Sequence, residues 1–101
     1  MTVYVDCAKI EFRNEQWCHM LADTLVELHC FAHSIGVNKG LFHKNASYPH
    51  YDITIEMQKT AIFHGAILAD RQTIIRCAKK LKNEMLDNLI EVKKSPQLEL
   101  F

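Results

Sequence analysis

Residues 17–36 read WCHMLADTLVELHCFAHSIG, and the pattern changes halfway along. The first part, Trp17 to Asp23, is a short apolar run that fits a strand. From Thr24 the apolar residues Leu25, Leu28, Ala32 and Ile35 recur at helical spacing on one face. Thr24 followed three residues later by Glu27 is a capping-box start, and Gly36 can take the left-handed conformation that closes a helix. A strand feeding directly into a helix is the unit of an α/β domain.

The flanking sequence extends this unit. Upstream, TVYVD alternates and is β-branched, which predicts a strand ending at Asp6. Downstream, VNKGLFHKNASYPH carries Gly40, Asn45, Ser47 and Pro49 and reads as loop. YDITI predicts another strand, EMQKTAIFHG a short helix ending at Gly65, and AILA a short strand. Asp70 can cap a long last helix over 71–94, with Ile74, Ala78, Leu81, Met85 and Val92 in one stripe and Leu86, Leu89 and Ile90 widening it. That far stripe offers a surface on which two copies could pair. Ser95-Pro96 should end the helix, because proline disfavours helical geometry in the residue before it. The expected fold is a single α/β domain over 1–94 with a small, mostly parallel sheet, three helices and a flexible tail at 95–101.

The chain of 101 residues, 49% of them hydrophobic, can bury one core. Twelve Lys and Arg balance twelve Asp and Glu. A neutral chain lacks the electrostatic footprint of a stand-alone DNA binder or of a protein held on an anionic membrane. No run approaches the ~20 apolar residues of a membrane span, and MTVYVDCAKIEF has no basic region leading into a long apolar stretch. Cys7, Cys18, Cys30 and Cys77 are scattered without a CxxC, and read as reduced, mostly buried thiols of a cytoplasmic protein.

Three groups carry chemistry. YVD puts Asp6 at a strand end, where α/β sheets place their sites. CHMLADTLVELH gathers His19, Asp23, Glu27 and His29 in one strand-turn-helix unit, and PHYDI sets His50, Tyr51 and Asp52 at the start of a strand. Asp6 and Asp52 are hard oxygen ligands suited to Mg²⁺ or Mn²⁺, with His19 or His50 as ligand or general base for attack on a phosphodiester. The same groups also suit a polar ligand with no chemistry, with Asp23, Glu27, His29 and Tyr51 as binding residues. Structural roles compete: Asp23 and Glu27 as capping residues, His19 as a half-buried satisfied histidine, Asp52 in a turn contact. His29 and His33 at i, i+4 have zinc spacing, but nothing else completes such a site. His43 and His64 read as loop and helix-end residues.

At VYVD, CHMLADTLVELHCFA, IGV, HYDI and GAI followed by an Arg, the sequence resembles the bacterial and phage family catalogued as domain of unknown function 4031, over roughly residues 2–80. Two departures stand out. Cys7 follows YVD where the family often has a second acid. Met57 and Gln58, with Lys59 nearby, occupy positions where the family tends to carry a Lys-Arg pair. The resemblance implies the fold and the site's location and no established activity.

The tail resembles a different family, the bacterial sliding-clamp-binding peptides, at Gln97, Leu98, Glu99, Leu100 and Phe101. Gln would enter a small polar subsite, and Leu and Phe an apolar pocket, so a few anchors carry the affinity. The alternative is that Leu98, Leu100 and Phe101 fold back over the domain's own core. The resemblance implies the replication sliding clamp as partner, with DNA reached only indirectly. Two functional readings stay open: a metal-dependent phosphoesterase or nuclease-like domain tethered to the clamp, or a non-catalytic binding protein, of a kind a phage could use, acting on the clamp or on a small polar ligand.

Overall fold

The structure, a computed structural model, describes residues 2–43 and 48–99, with side chains through Asn88. The strands are β1 (Val3–Val5), β2 (Ile10–Phe12), β3 (Glu15–Ala22), β4 (Phe42–His43), β5 (His50–Thr54) and β6 (Ile67–Leu68). The helices are α1 (Leu25–Ser34), α2 (Ile55–Phe63) and α3 (Arg71–Glu99), with a short 3₁₀ turn at Lys39–Leu41. The strands form one sheet in the order β4-β5-β3-β1-β6, and β2 adds to β3 alongside β1.

The α/β class, the single domain and the three helices are as the sequence predicts. The mostly parallel pairing is not. The sheet is mixed: β1 pairs β6 in parallel, and β1–β3, β2–β3, β3–β5 and β4–β5 are antiparallel. The reason is the hairpin between β2 and β3, whose turn residues Arg13 and Asn14 have φ of 53° and 65°. Positive φ at two consecutive residues is the twist that joins antiparallel strands tightly, whereas parallel neighbours need a long crossover. One such crossover occurs, through α2 into β6.

Both short helices begin and end as their sequences dictate. Thr24 Oγ1 accepts the Glu27 amide at 3.2 Å, and Thr54 Oγ1 accepts the Met57 amide at 3.1 Å. At the far ends, Val37 N donates to Ala32 O and Ala66 N to Ala61 O, with Gly36 and Gly65 at positive φ between them. These are Schellman closures, and they turn the chain sharply back to the sheet. Asp70 caps α3 by accepting the Thr73 amide at 2.8 Å.

The core is continuous. Val5, Cys18, Met20, Leu28, Ile53, Ala61 and Leu81 are all essentially sealed from solvent. Alternation along β3 and β5 puts Cys18, Met20, Tyr51 and Ile53 on one face and His19, Leu21, His50 and Asp52 on the other. α3 packs over this second face, where Ile74, Ile75 and Ala78 form a cleft of about 300 Å³ with His19, Leu21, Tyr48 and His50. Its sulfhydryl at Cys77 donates to Ala22 O at 2.8 Å, tying helix to sheet.

α3 continues helical past Ser95-Pro96, where the sequence puts its end. Pro96 lacks an N–H and so removes one bond from the ladder, but the preceding turns are already formed, and the proline weakens the helix without ending it. Gln97 and Leu98 fall in this helical backbone with their side chains outside the described ones, and Leu100 and Phe101 lie outside the described residues. The stripe proposed for pairing two copies has Leu89, Ile90 and Val92 beyond the described side chains as well.

All four cysteines are free thiols, Cys18 and Cys77 buried, Cys7 and Cys30 exposed. Burial, with carboxylates nearby, pushes Cys18 and Cys77 up to about 12, so these two are inert packing groups. Among the described residues no helix is long and apolar enough to cross a membrane.

Candidate metal centre

β3 and β5 are antiparallel with His19 directly opposite Asp52. Cross-strand partners share a face, and His50, two residues before Asp52, shares it too. Asp6 follows the last residue of β1, and its backbone joins the same ladder through Asp6 N donating to His19 O at 3.1 Å. Local strand geometry therefore gathers four side chains that lie far apart in sequence.

Asp6 holds His19. Its Oδ2 is 2.6 Å from His19 Nδ1, and its Oδ1 accepts the His19 amide at 2.8 Å and the Ala8 amide at 3.4 Å. Gln58 Nε2 donates to the Asp6 carbonyl at 2.7 Å and fixes the strand end from α2. Burial alone would push the Asp6 carboxyl up. The His19 ring and amide, the His19 charge and the Ala8 amide together outweigh it and hold the group below the ordinary carboxylate range. His19 is raised in turn, first by its hydrogen bond to Asp6, against burial, and then by the charges of Asp6 and Asp52.

Asp52 is the hub of the imidazoles. His50 Nε2 lies 3.1 Å and His19 Nε2 3.9 Å from its Oδ1, and His43 Nε2 lies 2.8 Å from its Oδ2. The His43 and His50 rings stack at 5.4 Å between centroids, and His19 meets His50 edge-on at 4.8 Å. His50 is held from behind by Nδ1, which donates to the Tyr48 carbonyl at 2.7 Å. Among the described residues, His19, His50 and Asp52 can hold a metal ion, each offering one ligand atom and all three atoms within 4.8 Å of one another.

The structure thus brings together Asp6, His19, His50 and Asp52, the residues given catalytic roles from sequence. It alters the part of Asp6. Both Asp6 oxygens are engaged by His19 and neighbouring amides, so Asp6 orients the His19 ring from behind. Of the two carboxylates read as metal ligands from sequence, Asp52 is grouped with His19 and His50, and Asp6 lies behind His19. His43, read as a plain loop residue, joins the centre because β4 pairs with β5 and puts it opposite His50. No short-range pattern marks β4, which is two residues long.

The residues assigned to ligand binding are not in this cluster. Asp23 Oδ2 accepts the Thr2 amide and anchors the start of β1. Glu27 leaves one buried carboxylate oxygen without a partner beside the groove between α1 and the end of α2, and its side chain does not complete the capping box. His29 Nδ1 is 2.7 Å from the Tyr51 hydroxyl, on the opposite face of β5 from His50 and Asp52. Burial raises the Tyr51 phenol, which keeps it protonated. His33 lines the same shallow pocket as His29 and Tyr51, with Lys39 and Phe42.

A small α/β domain with an Asp-oriented imidazole and a His/His/Asp cluster on one sheet face describes the class. The chain belongs to the DUF4031 family, described as a protein of unknown function, whose model matches residues 3–81. No curated protein and no solved structure matches the chain.

Proposed function

We propose that the protein is a DNA-transaction accessory whose His/Asp centre hydrolyses phosphodiesters with a bound divalent cation, and whose C-terminal QLELF peptide docks on the bacterial sliding clamp. The observation that carries the catalytic part is the convergence of His19 Nε2, His50 Nε2 and Asp52 Oδ1 beside an open cleft. His19, His50 and Asp52 would hold the cation, which would supply Lewis-acid activation of a water and of the phosphoryl group. The water oxygen bonds to phosphorus, its proton passes to a nearby base, and the P–O ester bond breaks with the leaving oxygen taking a proton. His43, whose Nε2 lies 2.8 Å from Asp52 Oδ2, is the base we assign to that proton.

Recruitment accounts for how a neutral chain could act on DNA: the clamp supplies the locality that net charge does not. Docking requires the last turns to become extended, and Pro96 has already removed one bond from them. The expected affinity is on the order of micromolar, since the peptide must be ordered on binding. The competing reading, a non-catalytic binding protein, shares the tail and lacks the chemistry.

Two measurements test the proposal. Metal-loaded full chain is incubated with a labelled DNA oligonucleotide, beside Asp52→Asn; cleavage by the first alone supports the enzyme, and no cleavage with any divalent metal sinks it. Clamp binding is followed by fluorescence anisotropy for the full chain and for a chain ending at residue 96. Binding that survives the truncation rules out the tail as the docking peptide.

A further inference from the structure

Both imidazoles of the ligand set are committed at Nδ1. His50 Nδ1 faces the Tyr48 carbonyl at 2.7 Å, and a carbonyl only accepts, so the proton sits on Nδ1. His19 Nδ1 faces Asp6 Oδ2 at 2.6 Å, and an ionised carboxylate only accepts. In their neutral forms both rings therefore turn an Nε2 lone pair toward Asp52 Oδ1, at 3.1 and 3.9 Å. Lone pair facing lone pair at that distance demands positive charge. Among the described residues the ion-pair partners of Asp52 are all histidines, with no Lys or Arg among them. A second proton on both of these rings would set imidazolium against imidazolium, with the centroids 4.8 Å apart. One shared divalent ion does the same work without that repulsion.

We infer that His19 Nε2, His50 Nε2 and Asp52 form a site for one borderline transition-metal ion of the zinc class, with Asp6 and the Tyr48 carbonyl as its outer partners. The inference rests on the reading above that this centre holds a divalent cation, and replaces Mg²⁺ with a different chemistry. Imidazole nitrogen suits Zn²⁺, Fe²⁺ or Co²⁺; Mg²⁺ takes an octahedron of oxygens and keeps its waters. Two imidazoles and a carboxylate with open positions is the ligand pattern of catalytic zinc. The spacing agrees: bonds of ~2.0–2.1 Å at tetrahedral angles put ligand atoms about 3.3 Å apart. Here the shortest edge is 3.1 Å and all three atoms lie within 4.8 Å, so small side-chain rotations close the site. An outer carboxylate on one ring and a backbone carbonyl on the other are what metal-bound histidines use to fix their tautomer. His43, on the second oxygen of Asp52, orients the carboxylate from outside.

The test uses the full chain stripped with a chelator. Titration with Zn²⁺ and with Co²⁺ is expected to bind one equivalent and raise Tm, and Co²⁺ to give visible absorption bands of a four- or five-coordinate ion. Millimolar Mg²⁺ should do neither. His50→Ala and Asp52→Asn, each checked for folding by far-UV circular dichroism, should weaken Zn²⁺ by more than the roughly 10–100-fold expected for loss of an outer partner such as Asp6. His33→Ala should bind as the parent does, which separates this site from the i, i+4 pair on α1. Unchanged Zn²⁺ affinity in folded His50→Ala overturns the inference, as does stabilisation by Mg²⁺ with none by Zn²⁺. Zinc bound at these residues with no DNA cleavage upholds the site and defeats the hydrolase; cleavage with Mg²⁺ and no Zn²⁺ binding does the reverse.

Discussion

Replacing Asp6 with asparagine tests the link between strand geometry and the tautomer of His19. The substitution keeps one oxygen, which can still accept the His19 and Ala8 amides. It removes the charge and places an NH₂ where Oδ2 now meets His19 Nδ1 at 2.6 Å. A hydrogen bond to a charged group contributes ~1.5–3 kcal/mol. The pair is partly exposed, with side chains 30% and 16% accessible, so the lower part of that range applies. A loss of about 1–2 kcal/mol is expected, or on the order of 5–10 °C in Tm for a domain of this size. The pH dependence is more telling. His19 is raised in the fold, so its contribution is complete below its unfolded pKa, ~6.5, and is lost as pH rises through the folded value. Asp6 is lowered, so its contribution is complete above ~3.9 and is lost as pH falls through its folded value. Urea unfolding of parent and Asp6→Asn in chelator, from pH 3 to pH 9, should show the widest gap between about pH 4 and 6.5 and a narrower one on either side. A gap that is absent, or constant with pH, would refute the coupling of Asp6 to His19.

Other consequences are simpler to measure. Leu81→Ala empties a site with no solvent exposure beneath α3 and should cost ~2–5 kcal/mol in chemical denaturation. Gly65→Ala meets no atom within 4 Å, yet φ of +109° strains any side chain; a stability lowered by ~1 kcal/mol or more is expected, from backbone alone. Asp70→Ala removes the cap on the Thr73 amide. Because Asp70 is lowered first by the Thr73 side chain and then by its amide, its stabilising effect is present above the unfolded carboxylate pKa and fades in acid, and the variant should differ from the parent at neutral pH and converge with it at low pH.

The helices were legible because their signals are local. Thr24, Gly36, Gly65 and Asp70 each act on backbone groups a few residues away, and each does in the structure what its position predicts. The sheet was less so. Its pairing turns on Arg13-Asn14, a hairpin without the glycine that usually marks positive φ, and on β4, too short to show alternation. The site was legible as a set of residue types and not as a geometry. Asp6 and Asp52 look alike in sequence, yet a cross-strand register gives one the back of His19 and the other its front. His43 could be found only by knowing that β4 pairs with β5. His29 and Tyr51 sit beside site residues in the chain and on the other face of the sheet, because neighbours in a strand point opposite ways.

The most direct test of the centre is a long-range ¹H–¹⁵N spectrum of the histidine rings, recorded on chelated full chain and again with one equivalent of Zn²⁺. His19 and His50 should carry their proton at Nδ1 in both states, with the Nε2 resonances of these two rings moving to metal-bound positions. Rings without a proton at Nδ1 before the metal, or Nε2 resonances that ignore it, would contradict the account.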